Sequence, residues 1–190
     1  MNRKTDRRSL YTRERIKTAC YQLLQKKPME QISITELCKA ADINRSTFYL
    51  HYQDVPDVYK NMLTEILDSI EPDASRVLAD PQIDWQLSGE IYQDIMKDPK
   101  KMFLIQNGFQ YDPFLKMFAE REVRWSMPYY RNHSRLSEDD LHLILTTLYY
   151  SQLVSDRYYL ETHTVKELEH FNLMFNKYII TPVHEKLTEQ

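Results

Sequence analysis

Glycine is almost missing from this chain: two residues of 190, with eight prolines. That scarcity excludes a turn-rich β-sandwich, a Gly-loop nucleotide fold and a flexible linker protein. Cysteine is equally sparse. Cys20 and Cys38 form no CxxC, and each sits in an apolar helical pattern, so they read as buried reduced thiols rather than a disulfide framework or zinc site. No apolar run approaches the roughly 18 residues of a membrane span. The segment MNRKTDRRSLYTRERIK has charge but no apolar stretch behind it, so no secretory signal is read and a cytoplasmic chain without membrane contact is expected. Hydrophobic residues at 42% and charged residues at 28% suit a globule of one domain or two small ones, and the composition favours helices.

Charge is unevenly placed. Residues 1 to 60 hold 12 Lys and Arg against 7 Asp and Glu, a net of +5, although the whole chain carries -3. A basic head on an acidic body implies two jobs. Charge alone leaves nucleic-acid contact and a solvated face equally open for the head.

Local pattern narrows that choice. Ile16, Ala19, Cys20, Leu23 and Leu24 make one stripe of an amphipathic helix from Thr12 to about Lys26 and Lys27, before Pro28. Ser33-Ile34-Thr35-Glu36 has the form of a capping box and predicts a short helix from Ile34, with Leu37, Cys38 and Ala41 inward. It stops at Asp42, a residue type that tolerates left-handed backbone. After a tight turn, Asn44 is placed to cap a third helix from Arg45 to Tyr52, with Phe48 and Tyr52 one turn apart. This spacing is that of a helix-turn-helix, whose second helix lies in the major groove. Ser46 and Thr47 are short hydroxyls that permit close approach, Arg45 is a donor fork for guanine or phosphate, and Tyr49 and His51 extend the polar face towards phosphates. An ordinary helical hairpin with a polar face is the competing reading.

Over Thr12 to Met62 the chain resembles the TetR family of bacterial transcriptional regulators, including the T-F-Y-x-H-Y stretch of Thr47, Phe48, Tyr49, His51 and Tyr52. The resemblance implies contacts to double-stranded DNA from Ser33, Thr35, Asn44, Arg45, Ser46, Thr47, Tyr49 and His51, with Phe48 and Tyr52 in the core. Two departures stand out. Asp42 occupies a turn position where the family often has Gly, and Val55 stands where a Lys usually meets a phosphate. Asp54 is placed to cap helix four, with Pro56 in its first turn and Val58, Tyr59, Met62, Ile66 and Ile70 at helical spacing. Arg3, Lys4, Arg7 and Arg8 precede helix one without apolar periodicity, as either a mobile DNA-following arm or a solvated tail.

The body, 61 to 190, reads as further helices, giving an all-α chain of about nine. Asp84 to Lys97 has Leu87, Ile91, Tyr92 and Ile95 on one face; Pro99 opens a helix that Asn107-Gly108 stops; Asp112-Pro113 begins one running towards Pro128. Ser137 caps a long apolar stretch from Leu141 to Leu160, and Thr164 caps a last helix from Val165 to about Ile180, before Pro182. Tyr149, Tyr150, Leu153, Val154, Phe171, Met174, Phe175 and Tyr178 offer more apolar surface than one hairpin buries, which reads as a partner surface, with core packing as the alternative. The resemblance implies a symmetric homodimer through these two helices, and two heads on a pseudo-palindromic site. It also implies a small-molecule effector, for which Trp85, Tyr92, Met96, Phe103, Phe109, Tyr111, Phe118 and Trp125 are candidate lining residues; plain core is their commoner fate.

Catalytic patterns do not emerge. The six histidines show no i, i+4 pair and no HExxH, and GxSxG, Walker and GxGxxG motifs are absent, so no enzyme, metal site or cofactor is expected. The expectation is a ligand-responsive repressor that binds a palindromic operator as a homodimer and is nucleoid-associated when on DNA. The alternative is a co-regulator, activator or interaction protein of the same fold with weak DNA binding of its own.

Overall fold

The apolar stripe read from Thr12 onwards is realised as α1, Arg3–Leu24, which buries Ile16, Ala19, Cys20, Leu23 and Leu24 in a computed structural model of the chain. The structure describes residues 3–69, 78, 97–162 and 165–189, the side chains at 3–6, 159–162, 165, 166, 168 and 169 excepted. All regular structure among the described residues is helical, and the chain divides into two compact units, Met1–Ser69 and Ile70–Gln190. The division falls later than the expected residue 60 because α4, Val55–Asp68, packs on α1 and belongs wholly to the first unit. The segment before Thr12, read as either a mobile arm or a solvated tail, is helical instead: from Arg3 onwards its backbone continues α1.

In the first unit, a 3-10 turn at Met29–Gln31 leads to α2, Ile34–Ala40, and then α3, Arg45–Tyr49. Ser33 caps α2, its Oγ accepting from Glu36 N at 3.2 Å, while the Glu36 carboxylate pairs with Lys27. Five residues are too few for a stable isolated helix, so α3 depends on what it buries. Phe48 is fully enclosed, Tyr52 nearly so, and the Tyr52 hydroxyl donates to Asn61 Oδ1 on α4 at 3.0 Å. The third helix is shorter than the expected Arg45 to Tyr52, because the chain tightens into a turn in which His51 N bonds Phe48 O at 2.9 Å. Asp54 Oδ1 caps α4 by accepting from Asp57 N at 2.8 Å, and Asp57 Oδ2 returns to Gln53 N at 3.0 Å. Lys17 joins α1 to α4 through Glu65 at 2.6 Å and also meets Glu14 at 2.5 Å. Burial alone would lower its pKa, but the two carboxylates more than offset that and hold it above the ordinary lysine value.

The second unit contains α5 (Pro99–Gly108), α6 (Asp112–His133), α7 (Glu138–Thr162), α8 (Val165–Phe175), a π-helical turn (Asn176–Ile180) and α9 (Thr181–Thr188). Asp98 caps α5 by accepting from Lys100 N and Lys101 N, and Ser137 Oγ accepts from Asp140 N at 3.1 Å at the start of α7. The helix expected at 84–97 lies outside the described residues apart from Lys97, as does the Thr164 cap. Three expected stops behave differently. Gly108 ends α5 without positive φ, the chain turning instead through Phe109 N to Ile105 O and Tyr111 N to Gly108 O. Pro128 lies inside α6: its lost bond and ring clash cost about 3 kcal/mol, which burial of Val123, Met127 and Tyr130 on one core face outweighs. Pro182 likewise fails to end the chain's last helix. Thr181 N–H bonds Asn176 O in the i to i-5 pattern, and this extra residue lets the helix run past the proline, so that His184 and Leu187 reach the core.

That core joins Leu78, Val123, Met127, Tyr130, Leu141, Leu145 and Leu187, so α6, α7 and α9 share it.

Candidate nucleic-acid interface

The α2–α3 connection turns at Asp42, the one non-Gly residue with positive φ (49°) among those described. Asp and Asn tolerate this backbone because a short polar side chain can bond locally. Here Asp42 bonds across the unit: Arg15 Nη2 on α1 donates to its Oδ2 at 2.7 Å and to its carbonyl at 3.2 Å. Ile43 N reaches back to Cys38 O at 3.0 Å. The angle between α2 and α3 is therefore held by a side chain from a third helix.

Beyond the turn, Asn44, Arg45, Ser46 and Tyr49 are exposed, Thr47 and His51 are half-buried, and Ser33 and Thr35 are exposed at the start of α2. Asn44 holds the extended cap backbone, yet its side chain makes no capping hydrogen bond, correcting the expected side-chain cap and leaving its amide on the surface. Arg45 Nη2 donates to Tyr49 Oη at 3.3 Å along the i, i+4 ridge, and the Tyr49 ring stands edge-on to buried Phe48 with centroids 5.6 Å apart. Burial, followed by the charge of Arg13, lowers the His51 pKa, so this imidazole is neutral at neutral pH and offers a hydrogen bond rather than a cation.

Val55 is core, only 4% exposed, and Asp54 and Asp57 occupy the same helix start. Two surface residues escape sequence reasoning. Arg13 lies near enough to His51 to shift it, and Leu50 is 80% exposed beside the polar face. The charge of Arg13 is visible in the sequence, but its proximity to α3 arises only from tertiary packing; no periodic signal marks Leu50.

Cys20 and Cys38 are buried free thiols, and burial pushes the Cys20 pKa to about 12. Neither is a nucleophile at neutral pH. Among the described residues no group of three His, Cys, Asp or Glu side chains is placed to hold a metal.

In the second unit, the expected effector-lining residues divide. Trp85, Tyr92 and Met96 lie outside the described residues. Phe109 and Phe118 meet through Phe114, with ring centroids 5.9 and 5.8 Å apart, whereas Trp125 packs on the separate core around Tyr130. Phe103 and Tyr111 are half-buried. An open apolar groove of about 450 Å³ lies elsewhere, between α7 and the π turn with α9, bordered by Leu136, Ile144, Ile179, Pro182 and Val183. None of the expected lining residues borders it.

The terminal helices are also corrected in detail. Leu153 is only 4% exposed and Tyr149 packs on the core, so both face inwards, and burial raises the Tyr149 pKa well above its ordinary value. The outward stripe of α7 is Leu143, Tyr150, Val154 and Tyr158. Phe171 and Phe175 are half-buried with centroids 5.7 Å apart, and Met174 and Tyr178 are exposed.

No helix among the described residues is long and apolar enough to cross a membrane. No protein-family model matches the chain.

Proposed function

We propose that this protein is a DNA-binding transcriptional regulator of the TetR type, most simply a ligand-responsive repressor that acts as a homodimer on a palindromic operator. The observation that carries the reading is the α2–Asp42–α3 unit. Its turn is held from α1, its apolar side is filled by Phe48, and its other side presents Asn44, Arg45, Ser46 and Tyr49 to solvent. Short hydroxyls, an amide and a guanidinium on one helix start are the groups that read base edges and phosphates. The outward stripe of α7 supports pairing with a second copy, which sets two α3 helices against successive major grooves about 34 to 36 Å apart. Effector control then works by population shift: a ligand preferring the dimer shape with unsuitable head spacing weakens DNA binding by its differential affinity, about 1 to 3 kcal/mol in typical cases.

Selection from a random duplex pool by the full chain at about 150 mM salt tests this, because nonspecific phosphate contacts fade as salt rises. Enrichment of an inverted repeat is expected. A pool that stays random favours the second reading, a co-regulator or interaction protein with weak DNA binding of its own. That reading draws on one observation: Val55 is buried and two aspartates flank it, so the start of α4 offers no cation to a phosphate.

A further inference from the structure

The first turns of α1 stand clear of the core. Among the described residues Ile16 is the first of that helix to be buried, and Arg7, Arg8, Leu10, Tyr11, Arg13 and Glu14 are all exposed. Such turns are marginal alone and keep their shape by continuing a packed helix. The segment is strongly basic: residues 3 to 13 carry five Lys and Arg against one acid, Asp6. The nearby carboxylates are engaged, Glu14 with Lys17 at 2.5 Å and Asp42 with Arg15 at 2.7 Å, while Arg7 and Arg8 have no acidic partner among the described residues. Distances place these turns beside α3. Arg7, Tyr11 and Arg15 stand at i, i+4 and i+8 on one ridge, and Arg8 lies two turns before Arg15. The Arg15 guanidinium lies 5.8 Å from the Tyr11 ring centroid while it bonds Asp42, at the turn from which Asn44 and Arg45 follow. Arg13 acts on His51, just past the other end of α3. Residues 13 to 15 therefore run alongside α3, and Arg8 and Arg7 lie about 10 to 12 Å beyond Arg15 at the helical rise of about 1.5 Å per residue.

We propose that Arg7 and Arg8 bind the sugar-phosphate backbone of duplex DNA beside the major groove that α3 enters, so that the start of α1 is a sequence-independent anchor for the head. The inference rests on reading α3 as a DNA-recognition helix, and it adds the surface that fixes that helix in its groove. The groove is about 12 Å wide, so side chains set about 10 to 12 Å from the α2–α3 turn reach the strand that borders it. Guanidinium groups take phosphate oxygens in two-point contacts, and such contacts position a protein without reading bases. The anchor answers a shortage elsewhere: the start of α4 presents Asp54 and Asp57 around buried Val55 and supplies no cation. An anionic bilayer suits the segment less well, because Leu10 and Tyr11 stand about 100° apart around the helix and make no apolar stripe.

The test is fluorescence anisotropy of the full chain on the selected duplex and on an unrelated one, over salt from about 50 to 300 mM, comparing the wild type with Arg7→Gln/Arg8→Gln. Each lost phosphate contact takes about 0.9 from the slope of log affinity against log salt. A slope shallower by about 1.8 per protomer is therefore expected, with both duplexes weakened alike. Arg124→Gln/Arg135→Gln removes the same charge from two exposed residues of the body and is expected to leave the slope unchanged. All four side chains are exposed, so unchanged melting temperatures are expected and verify the fold. An unaltered slope in Arg7→Gln/Arg8→Gln overturns the proposal, as does an equal fall in the body pair or a loss confined to the selected duplex. The failure of the DNA reading is distinct. If selection leaves the pool random, the same slopes are measured on that pool: a fall in Arg7→Gln/Arg8→Gln keeps the anchor without a sequence reader, and a wild type that binds no duplex removes both. Wild-type binding to phosphatidylglycerol vesicles without duplex binding assigns the segment to a membrane surface and overturns the proposal.

Discussion

Arg15 on α1 holds Asp42 in the turn between α2 and α3 by two bonds from one guanidinium nitrogen, to the carboxylate at 2.7 Å and the carbonyl at 3.2 Å. The Asp42 side chain is largely exposed, so the ion pair itself contributes about 0 to 1 kcal/mol. Backbone is the larger issue. Left-handed φ costs an ordinary L-residue about 1 to 2 kcal/mol, less for Asp and nothing for Gly.

Asp42→Gly is therefore expected to change stability by less than about 1 kcal/mol, the relieved backbone offsetting the lost pair. Asp42→Val loses the pair and forces a β-branched residue to positive φ, so a loss of about 2 kcal/mol is expected. Urea melts of both variants decide the matter. Equal stability of the two would show that the turn does not impose its φ.

The legibility of this unit follows from the range of its signals. Ser33, Asp42 and Asp54 act on backbone within a few residues, and each does in the structure what its position announces. Pro128 and Pro182 announce local stops as well, but burial of Tyr130, His184 and Leu187 beyond them depends on partners distant in sequence, and that burial prevails. The same limit hides the inward face of Leu153 and the link between Arg13 and His51. A stripe of alternating aromatics shows that surface is apolar without showing which side meets the core.

Arg45 and Tyr49 share a hydrogen bond on the exposed ridge of α3. If Tyr49 touches phosphate and Arg45 a base edge, Tyr49→Phe weakens every duplex alike, on the order of several-fold, whereas Arg45→Ala relaxes preference at one position. Because the residues contact one another, the double variant is expected to lose less than the two separate effects combined. Fluorescence anisotropy on the selected site and on single-base changes measures this. An identical loss of preference in both single variants would contradict the assigned roles.

Tyr130 and His184 meet at 2.9 Å in the core that docks α9 onto α6. Tyr130→Phe keeps the ring and strips the buried His184 Nδ1 of its partner, so a loss of about 1 to 2 kcal/mol is expected at pH 7.5. Burial lowers the His184 pKa, with Glu185 pulling it up and His133 on α6 pushing it down; Tyr129, also from α6, stacks on the ring. A depressed folded-state pKa gives a contribution that is complete above the unfolded value of about 6.5 and is lost as pH falls through the folded one. The acid side of the stability profile is expected to flatten in His184→Gln. Denaturant melts between pH 5 and 8 check it, and an unchanged profile would remove His184 from the account.

Adjacent residues of α7 separate core from exposed surface. Leu153 is 4% exposed, while Val154 is 36% exposed on a stripe with Leu143, Tyr150 and Tyr158. If the stripe pairs with a second copy, Val154→Glu buries an unpaired carboxylate only in the dimer, and the expected result is a folded monomer of 23.0 kDa by light scattering at micromolar concentration, against twice that mass for the wild type. Leu153→Glu puts the same charge into the protomer's own interior, so it is expected to unfold the body by circular dichroism. A Val154→Glu variant that stays dimeric would move the interface away from this face of α7, and a monomeric wild type would remove the homodimer itself.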